Sequence, residues 1–463
     1  MALTVVEEPS PKDERLPPPN PPQVINTPCG DLWPKPYYLE DGLRRVEPYH
    51  FTYYTNVKER WRNRPILDIF TSEFRDRPEE YYRQAIENGA IQVNGKEVKP
   101  DSILKNGDLI SHTLHRHEPP VTADEIGILH EDEDLIVINK PAGVPVHPAG
   151  RYFHNSVVEI LRAQRGYTFN PRPCHRLDRL TSGVMLLGKT QKAADAMSVQ
   201  IKGRTVKKEY VARVLGEFPE GDIVCEKPIL QISPKLGLNA VRANGKEART
   251  LFKRLAYYPS RKEQLPKDSS AEDDKASLPW KRFDGYSIVR CRPLTGRTHQ
   301  IRVHLQFLGH PISNDPIYCN QRVFGPSLAK GSEGDSDRDE DIISRLSRMG
   351  REEVAEAVAY HDEMVDKYQK RKAEKLTGEL CKVCDTPLFS DPGIHELGIY
   401  LHALRYESED GTWSYESPLP TWALPPDGVE GPREVTKETD PLAVDLEKLG
   451  LADRKESPQE QDI

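Results

Sequence analysis

PCHRLDRLTSGVMLLGKT, Pro173 to Thr190, sets one carboxylate, Asp178, between two guanidinium side chains, Arg176 and Arg179, with an apolar run, Val184 to Leu187, immediately behind it. The apolar run is short and bounded by turn residues, which predicts a buried strand with the charged stretch as the loop that feeds it. Nearby cations depress a carboxyl pKa, so this Asp is held ionised, and an ionised Asp is a nucleophile, a base or a metal ligand. Taken alone, Arg-x-Asp-Arg is more often a loop salt bridge. The neighbouring segments have to decide between the two.

Upstream, DLIVINKPAGVPVHPAG (134–150) predicts a β-branched strand, Leu135 to Ile138, and then a Pro/Gly-rich turn region that opens a new domain. A helix follows from Ser156 to Arg165, with Val157, Ile160 and Leu161 on one side. Downstream, Thr190 is an N-cap candidate for a helix carrying Ala193, Met197 and Ile201 at i, i+4, i+8. VKKEYVARV then alternates as a strand whose inward face holds Val206, Tyr210, Ala212 and Val214. By periodicity alone Tyr210 is a core tyrosine. THQIRVHLQFLG predicts a short buried helix with Thr298 as N-cap, Ile301, Leu305 and Leu308 inward, and Gly309 and Pro311 as stop signals. Arg302 falls in its first turns, where the helix dipole disfavours a cation, so an acidic partner is expected.

The chain has 463 residues, 37% hydrophobic and 30% charged, with 40 prolines. That length accommodates one large and one small domain, while the low apolar content implies solvated segments. The net charge of -8 argues against a polyanionic partner only until its distribution is examined. Asp427 to Ile463 holds eleven acids against five bases, 5 - 11 = -6, so the tail carries most of the excess. KGRTVKKEYVAR (202–213) and RANGKEARTLFKR (242–254) each have five cations and one acid, so the ordered part can be basic. No apolar stretch approaches the roughly 20 residues that span a bilayer, and no membrane association is expected. The first residues show neither a secretory segment nor a mitochondrial-type presequence, which reads as cytoplasmic or nuclear. Seven scattered cysteines fit free thiols in a reducing compartment. Cys381-Lys-Val-Cys384 followed by His395 and His402 has a spacing outside the usual finger pattern, with no second CxxC, and no metal is assigned to it.

Composition divides the chain into a disordered N-terminus (1–36), an aromatic and basic extension (37–63) and a small module (64–118). A catalytic-size domain (125–325) follows, with a polar insertion at 260–276, then a charged insertion (326–378), a return to globular texture (379–425) and an acidic tail (426–463). In the charged insertion, alternating signs from Ile342 to Leu376 suit a solvent-exposed helix. In the small module, helical stretches Ile66–Phe74 and Glu79–Asn88 precede a hairpin turning at Asn94-Gly95 and a second turn at Asn106-Gly107. Gly89, Ile91, Val93, Asn94 and Gly95, then Gly107, Asp108 and Ile110, resemble the signature of the S4 RNA-binding domain. A small α/β packing module without a ligand is the alternative.

NKPAGVPVHP (139–148), HRLDRLTSG (175–183), KKEYVARVLG (207–216) and RPLTGRTHQIRVHLQFLGHPI (292–312) resemble, in this order, the pseudouridine synthases of the RluA type. The resemblance implies an α+β pseudouridine synthase fold: a mixed, mainly antiparallel central sheet with flanking helices and an active-site cleft, preceded here by the S4-like module. It implies an isomerase that detaches uracil from C1′, turns it over and rejoins it through C5 without a cofactor. It makes Asp178 the catalytic carboxylate, Arg302 the group that orients and ionises it, and Tyr210 the ring against the uracil and a candidate for handling the C5 proton. Arg176 resembles the arginine that enters the stack vacated by the flipped base, with a static phosphate clamp as the alternative. Arg179, Lys207, Lys208, Arg297 and His299 are candidates for RNA phosphate or for structure. The aromatic cluster, the S4-like module and LHALRYE (401–407) look most like the eukaryotic branch that modifies tRNA, including fungal enzymes acting on anticodon-loop uridine 32, and a monomer is expected. Ribosomal or messenger RNA substrates, and a non-catalytic RNA-binding or chaperone protein with the same fold, are the competing readings. H-x-E with P-C-x-x-C does not occur, so no fused deaminase is expected.

Overall fold

A computed structural model describes residues 25–26, 36–74, 78–166, 168–233, 236–259, 285–325, 327–334, 336–348, 376–389, 391–393 and 396–437. Most of the N-terminal segment, the polar insertion 260–276, residues 349–375 of the charged insertion and the tail from 438 lie outside the described residues.

The N-terminal module is built on strand β1 (Tyr49–Asn56), helix α1 (Ile66–Ile69) continued as a π-helical turn to Phe74, α2 (Glu79–Glu87), β2 (Ile91–Val93), β3 (Lys96–Glu97) and β4 (Leu109–Arg116). The Asn94-Gly95 hairpin forms as its residue types require, both residues having positive φ, 53° and 71°. Ile66, Ile69, Tyr82, Ile86, Ile91 and Ile110 close a separate core between helices and sheet. One boundary moves. β1 lies in the extension placed at 37–63, yet it pairs with β4 along its whole length, from Tyr49 opposite Arg116 to Asn56 opposite Leu109, so residue 63 does not separate two units.

The larger sheet contains β5 (Gly127–Glu131), β6 (Leu135–Lys140), β7 (Ser182–Gly188), β8 (Val206–Leu215), β9 (Asp222–Cys225), β10 (Thr250–Tyr258), β11 (Tyr286–Pro293) and, from the far side of the charged insertion, β14 (Leu401–Ser408). Its order is β9-β10-β11-β8-β14-β7-β6-β5, and every pairing along that path is antiparallel except β7 with β14. Successive side chains alternate between faces. On β6 and β7, Val137, Val184 and Leu186 face one core with α4 (Gln191–Lys202) and α5 (Gln300–Phe307), while Ile136, Ile138, Met185 and Leu187 face the other with α3 (Val157–Arg165). Thr190 caps α4 as expected, accepting the Ala193 N–H, but the buried stripe runs through Ala194 and Met197, with Ala193 and Ile201 half-buried.

The parallel β7–β14 contact needs a glycine. Gly183 has φ 109°, and a Cβ there would collide with the Ala403 backbone. The charged insertion also differs from its expected exposure. Its described helix α6 (Ser336–Arg348) starts within the acidic run and buries Ile342 and Leu346 against Val303 of α5, Tyr318 and Phe324. Ile342 and Leu346 lie four residues apart and so share one face, and that apolar pair outweighs the charge alternation that suggested solvent.

Candidate active site

Asp178 sits on the loop entering β7, and the loop is tied down from several sides. Gly143 N–H donates to the Arg179 carbonyl at 2.9 Å, Ile399 N–H to the Leu180 carbonyl at 3.1 Å, and Thr181 N–H to the Asp178 carbonyl at 3.1 Å. Lys140, fully buried at the end of β6, donates from Nζ to the carbonyls of Pro141 (2.9 Å), Val144 (2.8 Å) and Arg179 (3.1 Å). Burial, then the Arg179 charge, lowers its pKa to about 7, whereas three carbonyl acceptors call for all three hydrogens of the ammonium form. Lys140 thus fastens the catalytic-loop candidate to the turn after β6.

The Asp178 side chain retains 31% exposure, while its partner is buried. Arg302 NH1 donates to Asp178 Oδ2 at 3.0 Å; the helix dipole called for an acidic partner, and the family resemblance named this one. The remainder of that guanidinium is held by Asp315: Nε to Oδ2 at 2.6 Å and NH2 to Oδ1 at 3.0 Å. Asp315 is itself buried and accepts the N–H groups of Ile317 (2.9 Å) and Tyr318 (3.0 Å) through Oδ1. One fork therefore bridges a buried carboxylate and a partly open one. A fork held at two corners is fixed in orientation, so the third N–H is aimed at Asp178 before any substrate arrives.

Of the two readings left open for His299, RNA phosphate or structure, its surroundings favour the second. Its Nε2 lies 3.5 Å from Asp178 Oδ2 and its Nδ1 2.9 Å from the Tyr318 hydroxyl, with the side chain 13% exposed, so it faces the carboxylate and not a phosphate surface. His299 also takes the N-cap position of α5 with left-handed backbone, φ 58°, and Thr298 does not cap. Gln300 supplies the local anchoring, its Oε1 accepting from Thr295 Oγ1 (2.7 Å) and Arg297 N–H (3.0 Å).

Burial raises the Asp178 pKa, but the charges of His299, Arg302 and Lys140 and the Arg302 hydrogen bond outweigh it and hold the carboxyl below its ordinary range. Burial and the Arg302 charge push His299 down to about 4, so its charge bears on Asp178 only in the acid range where the imidazole is protonated, and near neutral pH Arg302 supplies the stabilising charge.

Tyr210, on β8, is 9% exposed and shares a core with Val206, Ala212 and Val214, as alternation predicted. Its hydroxyl lies 2.6 Å from that of Tyr406 on β14, and Tyr406 stacks on His175 with ring centroids 4.8 Å apart. Burial, with the Asp178 charge adding, pushes the Tyr210 phenol up to about 12. The register shift between Glu209 and Tyr210 lets both point into buried surroundings, Glu209 toward Arg290 and Arg405.

The remaining candidates spread around this centre. Arg176 is exposed on the loop and makes no ion pair among the described residues. Arg179 donates weakly to the Gly143 carbonyl at 3.4 Å and lies 5.8 Å from the Tyr152 ring, which makes it part of the loop packing. Lys207 is exposed, Lys208 half-buried with its pKa lowered by burial, and Arg297 donates from Nε to the Glu247 carbonyl at 2.8 Å. Sequence reasoning missed Asp315, Lys140 and Tyr406. The first lies three residues beyond the quoted motif, in Asn-Asp-Pro, which reads locally as a turn.

The family model described as "RNA pseudouridylate synthase" matches residues 134–307. The yeast (Saccharomyces cerevisiae) protein named "tRNA pseudouridine(32) synthase, mitochondrial" is 45% identical over 397 residues, 83% of this chain and 78% of that protein. The human "Pseudouridylate synthase RPUSD2" is 38% identical over 436 residues, covering 84% and 74%, and the yeast "tRNA pseudouridine(31) synthase" is 31% identical over 431 residues, covering 83% and 96%. The mitochondrial yeast relative overturns the expectation of a cytoplasmic or nuclear protein, which had rested on N-terminal residue patterns alone.

Proposed function

Since the chain belongs to the RluA-type RNA pseudouridine synthases, we propose that it isomerises uridine to pseudouridine in tRNA, at position 32 of the anticodon loop, with Asp178 as the catalytic carboxylate. The activity itself is that of an isomerase. The observation that carries the residue assignment is the Asp178–Arg302–Asp315 array: a partly exposed carboxylate kept ionised by a buried guanidinium whose other nitrogens are already committed.

An ionised Asp178 can attack C1′ or take the 2′ proton, and both routes begin from the same charge state. A uridine inside folded RNA reaches it only when flipped out, at a cost of about a few kcal/mol that backbone contacts must offset. Exposed Arg176 is the arginine assigned here to the vacated stack, and exposed Lys207 and half-buried Arg297 are the cations assigned to phosphates. Tyr210, protonated at neutral pH, lies against the uracil ring as a neutral phenol rather than as a free phenolate base. Residues 64–118 are read as an S4-like RNA-binding module; exposed Lys96, Lys99 and Lys105 are the cations it offers.

Pseudouridine mapping of total RNA from a deletion strain tests the target. Loss of pseudouridine at tRNA position 32, restored by the wild-type gene, is expected, and an unchanged position 32 overturns the assignment. Asp178→Asn should lower tritium release from C5-labelled tRNA by about 10³-fold or more while tRNA affinity stays within a few-fold. Turnover within tenfold of wild type would remove Asp178 from its role.

A further inference from the structure

Away from Asp178, two histidines and two cysteines distant in sequence converge. His115 on β4 and His117 just beyond it meet Cys381 and Cys384, and the four ligand atoms all lie within 4.8 Å of one another. Cys381 Sγ and Cys384 Sγ are each 3.4 Å from His115 Nδ1, and Cys384 Sγ is 3.3 Å from His117 Nε2. A tetrahedron with metal–sulfur bonds of about 2.3 Å and metal–nitrogen bonds of about 2.0–2.1 Å has edges of about 3.3–3.8 Å, so the three Sγ–nitrogen separations are those of ligands around one ion.

We propose that His115, His117, Cys381 and Cys384 form a structural zinc site that fastens the hairpin after the charged insertion to the N-terminal module. The local structure on both sides suits it. His115 and His117 are two apart along an extended segment, so they project to the same side, with Arg116 opposite. The cysteines occupy the tip of a hairpin between β12 (Leu376–Leu380) and β13 (Pro387–Phe389). That tip is a tight knuckle: Asp385 N–H donates to the Cys381 carbonyl at 2.9 Å, Cys381 N–H to the Thr386 carbonyl at 2.9 Å, and Asp385 has φ 52°. Val383 N–H points at Cys381 Sγ, 3.4 Å away, where it would stabilise a thiolate.

Two thiolates with two imidazoles select zinc over harder cations, and four protein ligands leave no open position for a substrate or water, so the site is structural. The histidines come from some 266 residues upstream of the CxxC. That is why the spacing around the CxxC offers only His395 and His402. His395 lies outside the described residues, and His402 is buried in β14, 2.8 Å from Ser182 Oγ and 2.7 Å from Ser417 Oγ.

The full chain, freed of any histidine tag, equilibrated with excess zinc and dialysed, should retain about one zinc per molecule, and Cys384→Ser or His117→Ala should lose most of it. Zinc below about one tenth of an equivalent in the wild type, or full retention by both variants, overturns the site. If the variants do not fold, cobalt substitution of the wild-type chain decides: thiolate-to-cobalt charge-transfer absorption with a tetrahedral d–d spectrum supports the site, and its absence excludes it. No residue here touches Asp178, so the zinc site and the tRNA assignment stand or fall separately.

Discussion

As the proposed catalytic group, Asp178 has to be a carboxylate, and its neighbours decide at what pH it is one. Its pKa is lowered in the folded protein, so the ionised form is complete above the ordinary aspartate value and is lost only as pH falls through the lower folded value. The acid limb of kcat/KM should therefore lie below about 3.9 wherever the protein survives. Arg302→Gln removes one of the charges that oppose burial together with its hydrogen bond, and should move that limb upward by about one unit or more. Superimposable limbs in wild type and variant would mean that Arg302 does not ionise Asp178. An acidic partner for Arg302 was legible, because a cation in the first turns of a helix demands an acid, and the family resemblance supplied Asp178 as that partner. Asp315 was not legible: a turn-forming Asn-Asp-Pro gives no local sign that its carboxylate will be buried against a guanidinium.

Among the elements, β7 shows how little freedom the catalytic-loop candidate has. Gly183 joins that loop to the strand with a backbone that L residues rarely adopt, against the Ala403 backbone. Gly183→Ala should cost about 1–3 kcal/mol or more, seen as a lower Tm and a weakened catalytic site together; a thermally neutral substitution would show that β7 and β14 can separate. Helix α6 makes the opposite point, since its charges are visible and its role is not. Leu346→Ala should destabilise the protein by about 2–5 kcal/mol in chemical denaturation, a cost that a solvent-facing helix would not incur. Strands β6, β7 and β8 and helices α3, α4 and α5 were readable from apolar spacing. The capping of α5 was not, because His299 is held in its left-handed conformation by Tyr318 from outside the helix.

At the scale of the whole molecule, the -8 charge coexists with a polyanionic substrate because the acidic excess sits in the tail. Lys207→Ala and Arg297→Ala should each reduce the slope of log affinity for tRNA against log salt by about one, leaving the single-turnover rate at saturation unchanged. A slope unaffected by both would move the RNA to another face. The four motifs and their order along the chain carried the resemblance that implied the chemistry and made Asp178 the candidate carboxylate, and the strand and loop around it were readable because a loop's residue types and a strand's alternation are local properties. The closing of the sheet by β14 beyond the charged insertion, the sharing of Arg302 between Asp178 and Asp315, and the meeting of His115 with Cys384 were decided only by the tertiary structure. Each joins groups far apart in the chain, and such contacts are set by packing and burial, which no local pattern encodes.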